Sequence, residues 1–218
     1  SLTIAIQIPA VQTWAAKKAV VELNKMFNTQ IALKSVDIDF FGRIYMNGLS
    51  TKDDRGLDFI QVKQMETSMN IWSLLNNLVI AKENKIDLDE IKLEDPKIQI
   101  ITYKGDSTSN LIKFVNAFSS KEEKDPSPFS LKGNFIITNG ELLLRNENKA
   151  PQDQTWVDAK KLNVDISDFA LIDGDITADV NALAFETMRR GELYVIKNLS
   201  GNATYNQREI RVDDLSLQ

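Results

Sequence analysis

The sequence VDAKKLNV, residues 157–164, contains the pattern that decides the fold of this chain. Apolar and polar residues alternate up to Ala159, two lysines follow in succession, and the alternation resumes at Leu162. Strict alternation is typical of a β-strand with one apolar and one polar face. The doubled polar step shifts the phase by one residue, and a β-bulge absorbs such a shift while it bends the strand. We therefore expect a long, bent strand whose two halves turn their apolar side chains the same way.

Five further copies of the pattern occur, around Lys34-Ser35, Lys63-Gln64, Asp89-Glu90, Lys197-Asn198 and Asp213-Asp214. Repeated strands with short connections predict a mainly β fold, an elongated, curled antiparallel sheet with an N-terminal α-helix and one or two short helices. Its apolar face would form a taco-like groove. The positions predicted to line that groove are Ile31, Leu33, Val36, Ile38, Ile44, Met46, Ile60, Val62, Met65, Met69, Ile86, Leu88, Ile91, Leu93, Ile98, Ile100, Leu131, Leu142, Leu144, Val157, Leu162, Val164, Ile166, Ile210, Val212 and Leu215.

The composition limits the chemistry available to the chain. Its 218 residues suffice for one large all-β domain or two small ones, and 43% of them are apolar. The net charge of −5 argues against nucleic acid as a partner. The sequence contains neither cysteine nor histidine, so it lacks thiol nucleophiles, thiolate zinc sites and the commonest general base.

The N-terminal region predicts a helix beside a membrane. Residues 1–8 are expected to be the end of a membrane-spanning helix, and residues 9–28 an amphipathic helix that starts at Pro9. In one interpretation Trp14 and the lysines after it anchor this helix at the lipid headgroups. In the other, the helix packs on the end of the sheet, and both can hold. The membrane-proximal residues are predicted to be Ile4, Ile6, Ile8, Trp14, Lys17 and Lys18.

Two β-groove units are expected after this helix. The first covers residues 29–119, breaks its strands at Asp95-Pro96 and contains a short helix capped by Asn110. Residues 120–128, charged and with two prolines, predict a loop. The second unit, residues 129–218, is expected to continue beyond the fragment. Gly140 matches Gly42 in an alignment of the two units, which predicts a repeated hairpin.

The apolar faces allow two arrangements. Two sheets could close face to face over a sandwich core. Alternatively, one twisted sheet curls lengthwise and leaves an oily trough open. The chain-order repeat favours the trough, which could carry acyl chains past water.

The carboxylate runs are candidate catalytic or cation sites. Asp37-x-Asp39, Asp87-x-Asp89-Glu90, Asp173-x-Asp175 and Asp213-Asp214 resemble acidic pairs of glycosidases or Ca²⁺ ligands. Most of them occupy the polar positions of alternating strands, where solvated charge keeps a β array soluble. We expect no catalytic residue, no metal and no cofactor, and therefore no enzyme.

Several motifs resemble the TamB family, AsmA-like translocation and assembly module subunits of Bacteroidota-type bacteria. They include QIPAVQTW at residues 7–14 before a lysine-containing helix, and the pattern Ile-x-Leu-x-x-Val-Asp-Ile-Asp-Phe at residues 31–40. Ile-x-Leu-Glu-Asp-Pro-Lys-Ile at 91–98, the helix at 110–119 and ELYVIKNLSG at 192–201 also match. The resemblance covers nearly the whole chain. It implies that the chain is the N-terminal, periplasmic part of a protein of this family.

The resemblance implies a segment of a periplasmic bridge, anchored in the inner membrane of a diderm bacterium. Its hydrophobic groove would shield phospholipid acyl chains during transport between the inner and outer membranes. It also implies an Omp85-type, TamA-like outer-membrane barrel as a partner, contacted through parts not in this chain. The alternative is a periplasmic scaffold or chaperone for outer-membrane β-barrel proteins. A glycan-binding or glycan-active β-sandwich is a third possibility.

Overall fold

The computed structural model describes residues 9–39, 43–68, 85–118, 130–172, 175–189, 191–205 and 210–217. Helix α1 spans Pro9–Phe27, as the sequence predicts, and helix α2 spans Asn110–Phe118. The strands before α2 are β1 Gln30–Ala32, β2 Ser35–Ile38, β3 Arg43–Lys52, β4 Asp58–Ser68, β5 Lys85–Glu94 and β6 Lys97–Thr102. Those after it are β7 Ser130–Asn146, β8 Thr155–Ile172, β9 Asp175–Arg189, β10 Glu192–Tyr205 and β11 Ile210–Leu217.

The described strands form one sheet that follows the order of the chain. The path runs β1-β3-β4-β5-β7-β8-β9-β10-β11, with β2 beside β3 and β6 between β4 and β7. Because β1 and β2 pair with the same neighbour, they act as one interrupted strand, and so do β5 and β6. The mainly β, elongated and curled sheet with an N-terminal helix is therefore confirmed.

One junction of the described sheet is parallel, whereas the sequence predicts an antiparallel sheet. β7 runs parallel to β5, with Lys85 opposite Ser130, and parallel to β6, with Thr102 opposite Asn146. The other described pairings are antiparallel. A parallel pair needs a crossover connection, and the chain between β6 and β7 contains α2.

The predicted repeat of a hairpin in the second unit is wrong. Gly140 lies inside the 17-residue strand β7, which continues on both sides of it. Asn139 has a left-handed φ of 54°, which belongs to a β-bulge and not to a turn. The register against β8 shifts at this point. The chain does not reverse there because β6 and β8 pair with the strand beyond Gly140.

The phase shifts of neighbouring strands lie side by side and form a crease across the sheet. Cross-strand registers align the steps at Lys34, Gly48, Lys63, Asp95, Asn139 and Lys161. Four of these residues have positive φ, namely Gly48, Asp95, Asn139 and Lys161. Since a bulge bends its strand, bulges in a row bend the whole sheet at one level.

Register shifts confirm the predicted bulge at four of the six doubled polar steps. They fall at Asp89-Glu90, Lys160-Lys161, Lys197-Asn198 and Asp213-Asp214. At the two earlier steps, in β1–β2 and β4, the apolar phase changes without a register shift. The reason is that β3 changes phase at the same level. The paired strands therefore contain equal numbers of residues across the step, and their register is unchanged.

Candidate functional site

Helix α2 defines the inner face of the sheet. Val115 and Leu171 form a buried cluster, against which Leu111, Leu131, Phe169 and Ile176 pack. The strand residues of this cluster come from β7, β8 and β9 and share one face, because directly opposed residues lie on the same side. We call the face that carries Leu131 and Leu171 the inner face and the opposite one the outer face.

The same helix also contacts β4, on the other side of the curled sheet from β7–β9. The Phe114 ring lies edge-on to Phe59 of β4, with 5.4 Å between ring centroids, and Phe59 is 1% exposed. The Tyr205 hydroxyl near the end of β10 bonds with Ser109, just before α2. Burial raises the pKa of Tyr205, partly offset by that hydrogen bond. The sheet therefore curls around α2 from β4 to β10.

A buried polar cluster fixes the start of α2. The Tyr103 hydroxyl donates a hydrogen bond to Asp53 Oδ2, and the Asn110 amide donates to the same oxygen at 3.4 Å. Asp53 Oδ1 accepts from the backbone N–H groups of Arg55 and Leu57 at 2.9 and 3.0 Å. Burial would raise the pKa of Asp53, but these hydrogen bonds outweigh it and hold the pKa below its ordinary value.

Ser109, and not the predicted Asn110, caps α2. Ser109 Oγ accepts the N–H of Ile112 at 3.4 Å, which is the bond of an N-cap. The Asn110 side chain instead bonds the edge of β6 beyond the residues that pair with β4. It accepts from the N–H of Ile101 at 2.9 Å and donates to the carbonyl of Gln99 at 2.9 Å. Asn110 therefore holds the helix to the sheet.

From β1 to β8 the inner face is a packed core. The predicted groove residues that are buried there are Val36, Ile44, Val62, Ile91, Leu162 and Val164. Those that are half-buried are Ile31, Leu33, Ile38, Met46, Ile60, Met65, Leu93, Ile98, Ile100, Leu131, Leu142, Leu144, Val157 and Ile166. We call this part, together with α2, the closed region.

From β9 to β11 the inner face opens progressively. Ala178 of β9 is still buried, whereas Val212 and Leu215 of β11 are 47% and 60% exposed. Their inner direction follows from the registers of Ala203 with Val212 and Leu199 with Leu217. We call β9–β11 the open wall; its inner apolar side chains include Ile176, Val180, Leu183, Phe185, Ile196, Leu199, Val212 and Leu215.

The outer face of the same strands carries apolar side chains at one end. Leu193 pairs with Met188, and Val195 pairs with Glu186. Leu193 is 58% exposed and Val195 is 51% exposed. They match Leu215 and Val212 in residue type and in exposure but lie on the opposite face, which makes them natural controls.

A cavity of about 510 Å³ lies at this end of β8–β10. Its lining combines Trp156, Tyr194 and Met188 with Arg189 and the carboxylates of Asp153 and Asp158. The tyrosine hydroxyl donates to Glu192 at 3.0 Å. The lining of this cavity is amphipathic, and the cavity lies at one end of the open wall.

Some predicted residues cannot be placed on either face. Met69, Ile4, Ile6 and Ile8 lie outside the described residues, as does the predicted loop at residues 120–128. The side chains of Ile86, Leu88 and Ile210 are also outside the described part.

The predicted membrane-proximal residues that are described lie on the surface of α1. Trp14 is 61% exposed, and the Lys18 ammonium lies 5.0 Å from the centroid of its ring. Lys17 is also exposed. Helix α1 itself contacts β1 and β2, so it packs on the edge of the sheet. No helix among the described residues has both the length and the apolar character needed to span a membrane.

The acidic runs do not come together as a site in the described part of the chain. Asp39 Oδ2 pairs with Arg43 at 2.7 Å, and Asp213 pairs with Arg211 at 2.8 Å. Within the described ranges no group of three or more acidic side chains is arranged to hold a metal ion.

Comparison with known proteins does not add to this picture, since neither the protein-family models nor the curated proteins contain a match to this sequence. Sequence reasoning missed two groups of buried or half-buried polar side chains. Gln12, Thr13 and Asn24 of α1 bond the backbone of β1 and β2, and Asp53 and Tyr103 bond each other beside the start of α2. Their signal was weak, because a polar residue on a helix or in a loop ordinarily faces solvent.

Proposed function

We propose that this chain shields lipid acyl chains in a hydrophobic β groove, as a segment of a bridge between two membranes. The observation that carries the proposal is the open wall, where apolar inner side chains of a single curled sheet stay exposed beside a closed region. Soluble proteins rarely expose contiguous apolar surface without using it to bind something.

The physical reason is the cost of hydrating acyl chains. Each methylene group in water costs about 0.8 kcal/mol, so a two-chain lipid does not cross an aqueous gap unshielded. A continuous apolar surface lowers that barrier without catalysis. The amphipathic cavity with Trp156, Tyr194 and Arg189 suits the boundary between an apolar surface and a polar headgroup.

The cellular setting is part of the same proposal. The resemblance to the TamB family suggests a periplasmic location, anchorage in the inner membrane and phospholipid as the cargo. It also suggests an Omp85-type barrel as a partner, reached through parts not in this chain. Exposed Trp14 with Lys17 and Lys18 on α1 is compatible with a headgroup contact.

A second function, the scaffold or chaperone for β-barrel proteins, is favoured by one observation. Among the described strands, β11 pairs with β10 on one side, and its other edge faces no described strand. Such an edge can bind an extended client by β-augmentation. The client would bond to the backbone edge, whereas a lipid would contact the inner side chains.

The experiment compares two matched pairs of charge substitutions. Leu215→Glu and Val212→Glu place a charge on the inner face, whereas Leu193→Glu and Val195→Glu place it on the outer face at similar exposure. Lipids that co-purify with each variant are extracted under mild conditions and quantified by mass spectrometry. We expect the inner substitutions to reduce bound phospholipid at least about tenfold, because a charge against acyl chains costs several kcal/mol.

Since all four positions are exposed, none of these substitutions should unfold the chain, and circular dichroism verifies this. Equal lipid content in inner and outer variants, with folding intact, would contradict the proposed groove. Loss of β-barrel assembly with unchanged lipid content, after the β11 edge is blocked by proline, would favour the scaffold instead.

A further inference from the structure

The cavity at the end of β8–β10 lies where two neighbouring strands separate. The pairing of β8 with β9 ends at Ala159 opposite Thr187, although β8 begins at Thr155 and β9 extends to Arg189. In an antiparallel sheet, successive residues direct their backbone groups alternately to one neighbouring strand and to the other. Part of the β8 backbone before Ala159 is therefore turned toward the cavity, where it can donate and accept hydrogen bonds.

The inner face changes from apolar to polar as β9 and β10 approach this cavity. Phe185 and Ile196 form an apolar pair on the inner face. The next inner pair is Thr187 with Tyr194, and Arg189 follows at the end of β9. These residues share one face because every second residue of a strand points the same way. An acyl chain on the inner face of the open wall would therefore end here beside hydroxyl groups and a guanidinium.

The charged groups that line the cavity keep hydrogen-bonding capacity for a ligand. Within the described ranges, neither the Arg189 guanidinium nor the Asp153 carboxylate forms an ion pair. The Asp158 carboxylate lies 3.4 Å from the ammonium of Lys160, and that pair is on the surface. Trp156 is 52% exposed, so its ring is accessible to a ligand. The cavity thus combines a cation, two carboxylates and an accessible aromatic ring.

We propose that this cavity binds the headgroup of a zwitterionic phospholipid, in which a phosphate and an ammonium group lie close together. This assignment rests on the proposed lipid groove and adds the headgroup class that the groove prefers. The Arg189 guanidinium suits the phosphate, because arginine forms bidentate hydrogen bonds with phosphate oxygens. The carboxylates of Asp153 and Asp158 suit the ammonium, which is also attracted to the face of the Trp156 ring.

An anionic headgroup without an ammonium fits the same cavity less well. Its phosphate can bind Arg189, but the two carboxylates then face a negative ligand that offers them no cation. The preference therefore combines an attraction for the ammonium with a repulsion of anionic lipids. Because these side chains are exposed, the expected preference is modest, about threefold.

Competition between two lipids tests the headgroup site. The chain is stripped of lipid and incubated with vesicles that contain phosphatidylethanolamine and phosphatidylglycerol in equal amounts and with identical acyl chains. Mass spectrometry quantifies the lipids that it retains, and we expect about threefold more of the zwitterionic lipid. Asp153→Asn with Asp158→Asn should abolish this preference. The control, Asp175→Asn with Asp179→Asn on exposed positions of β9, should keep it.

The phosphate contact is tested by Arg189→Gln, which should reduce the retention of both lipids about threefold, because both carry a phosphate. Lys132→Gln removes an exposed cation of β7 and should leave retention unchanged. An unselective native chain, or a preference that survives the double carboxylate variant, would overturn the headgroup site. If total lipid still responds to Leu215→Glu in that case, the groove stands without the site. If the native chain retains no lipid, both fall.

Nuclear magnetic resonance separates a lipid headgroup from a free anion as the ligand. The indole N–H signal of Trp156, assigned with Trp156→Phe, is followed during titration with glycerophosphoethanolamine, glycerophosphoglycerol and inorganic phosphate. We expect the first compound to shift this signal in the native chain but not in the double carboxylate variant, and the other two to leave it nearly unchanged. An equal response to inorganic phosphate would overturn the zwitterionic headgroup as the ligand. No response to any of the three would overturn the cavity as a binding site.

Discussion

The closed region and the open wall are built from the same sequence pattern but bury it differently. In the closed region the inner apolar residues pack around α2, and Val62 and Ile91 are almost inaccessible. In the open wall the same alternating positions end with Val212 and Leu215 largely exposed. The comparison teaches that alternation decides which face of a strand is apolar, and that the covering element decides whether the face becomes a core or a groove.

The helix is the element that makes the difference. Leu111 and Val115 contact β7, β8 and β9, while Phe114 contacts β4. Near the end of β10, the Tyr205 hydroxyl bonds with Ser109, the residue just before the helix. Burial therefore decreases from β8 to β11 as the strands move away from α2.

The largest expected effect is a difference in the free energy of unfolding that is lost when one side chain is truncated in each region. Phe59→Ala should lower the free energy of unfolding by about 3–5 kcal/mol, because it leaves a cavity against Phe114. Leu215→Ala, on the exposed inner face, should change it by about 0.5 kcal/mol or less. Urea unfolding measures both. Similar losses in the two variants would show that the open wall is part of the core.

A smaller effect concerns the polar cluster of the closed region. Asp53→Asn should lower the free energy of unfolding by about 1–3 kcal/mol at pH 7, because a buried charged acceptor of several hydrogen bonds is lost. The pKa of Asp53 is lower in the folded chain than its ordinary 3.8. Its stabilisation is therefore complete above the unfolded-state pKa and disappears as the pH falls through the folded-state value.

The pH profile of unfolding checks this sign. The native chain should lose stability below about pH 4, and Asp53→Asn should lose less over the same range. Asp37→Asn, on an exposed strand position, is the control for removing one carboxylate and should keep the acid-dependent loss. Parallel profiles of the native chain and Asp53→Asn would contradict the role of this cluster.

The smallest effect concerns the crease, whose aligned steps lie in β1–β8, within the closed region. Asn163 Oδ1 accepts the N–H of Asn139, the bulged residue of β7, at 3.1 Å. Asn163→Leu removes this acceptor on the surface and should cost about 1 kcal/mol, whereas Asn163→Asp keeps an acceptor and should cost less. Thermal unfolding compares the two variants. If they lose equal stability, the side-chain acceptor does not hold the bulge.

The strand pattern could be predicted because it is local. The doubled polar step at Lys160-Lys161 indicates a bulge, and Lys161 has a φ of 50°. The pair Asn139-Gly140 carries the local signature of a hairpin turn. It lies inside β7 because β6 and β8 pair beyond it. Local sequence cannot report on those neighbours.

The closure of the trough could not be predicted for the same reason. The apolar face of α2 is visible in Leu111, Phe114 and Val115, but the sequence does not show that it packs inside the sheet. In the sequence, Thr13 and Asn24 resemble ordinary solvent-facing helix residues. Their hydrogen-bond partners lie in strands 7–23 residues away, and the local sequence does not reveal that contact. Alternation alone predicts one groove along the whole sheet, whereas the described inner side chains are packed in β1–β8 and become exposed toward β11.

Photo-crosslinking tests the central claim most directly. A phospholipid with a diazirine in its acyl chain is incubated with the native protein, irradiated, and mapped by peptide mass spectrometry. We expect adducts on inner residues of β9–β11, among them Leu199, Val212 and Leu215, and few on Leu193 or Val195. Adducts distributed equally over both faces, or confined to the outer face, would contradict a lipid groove in the open wall.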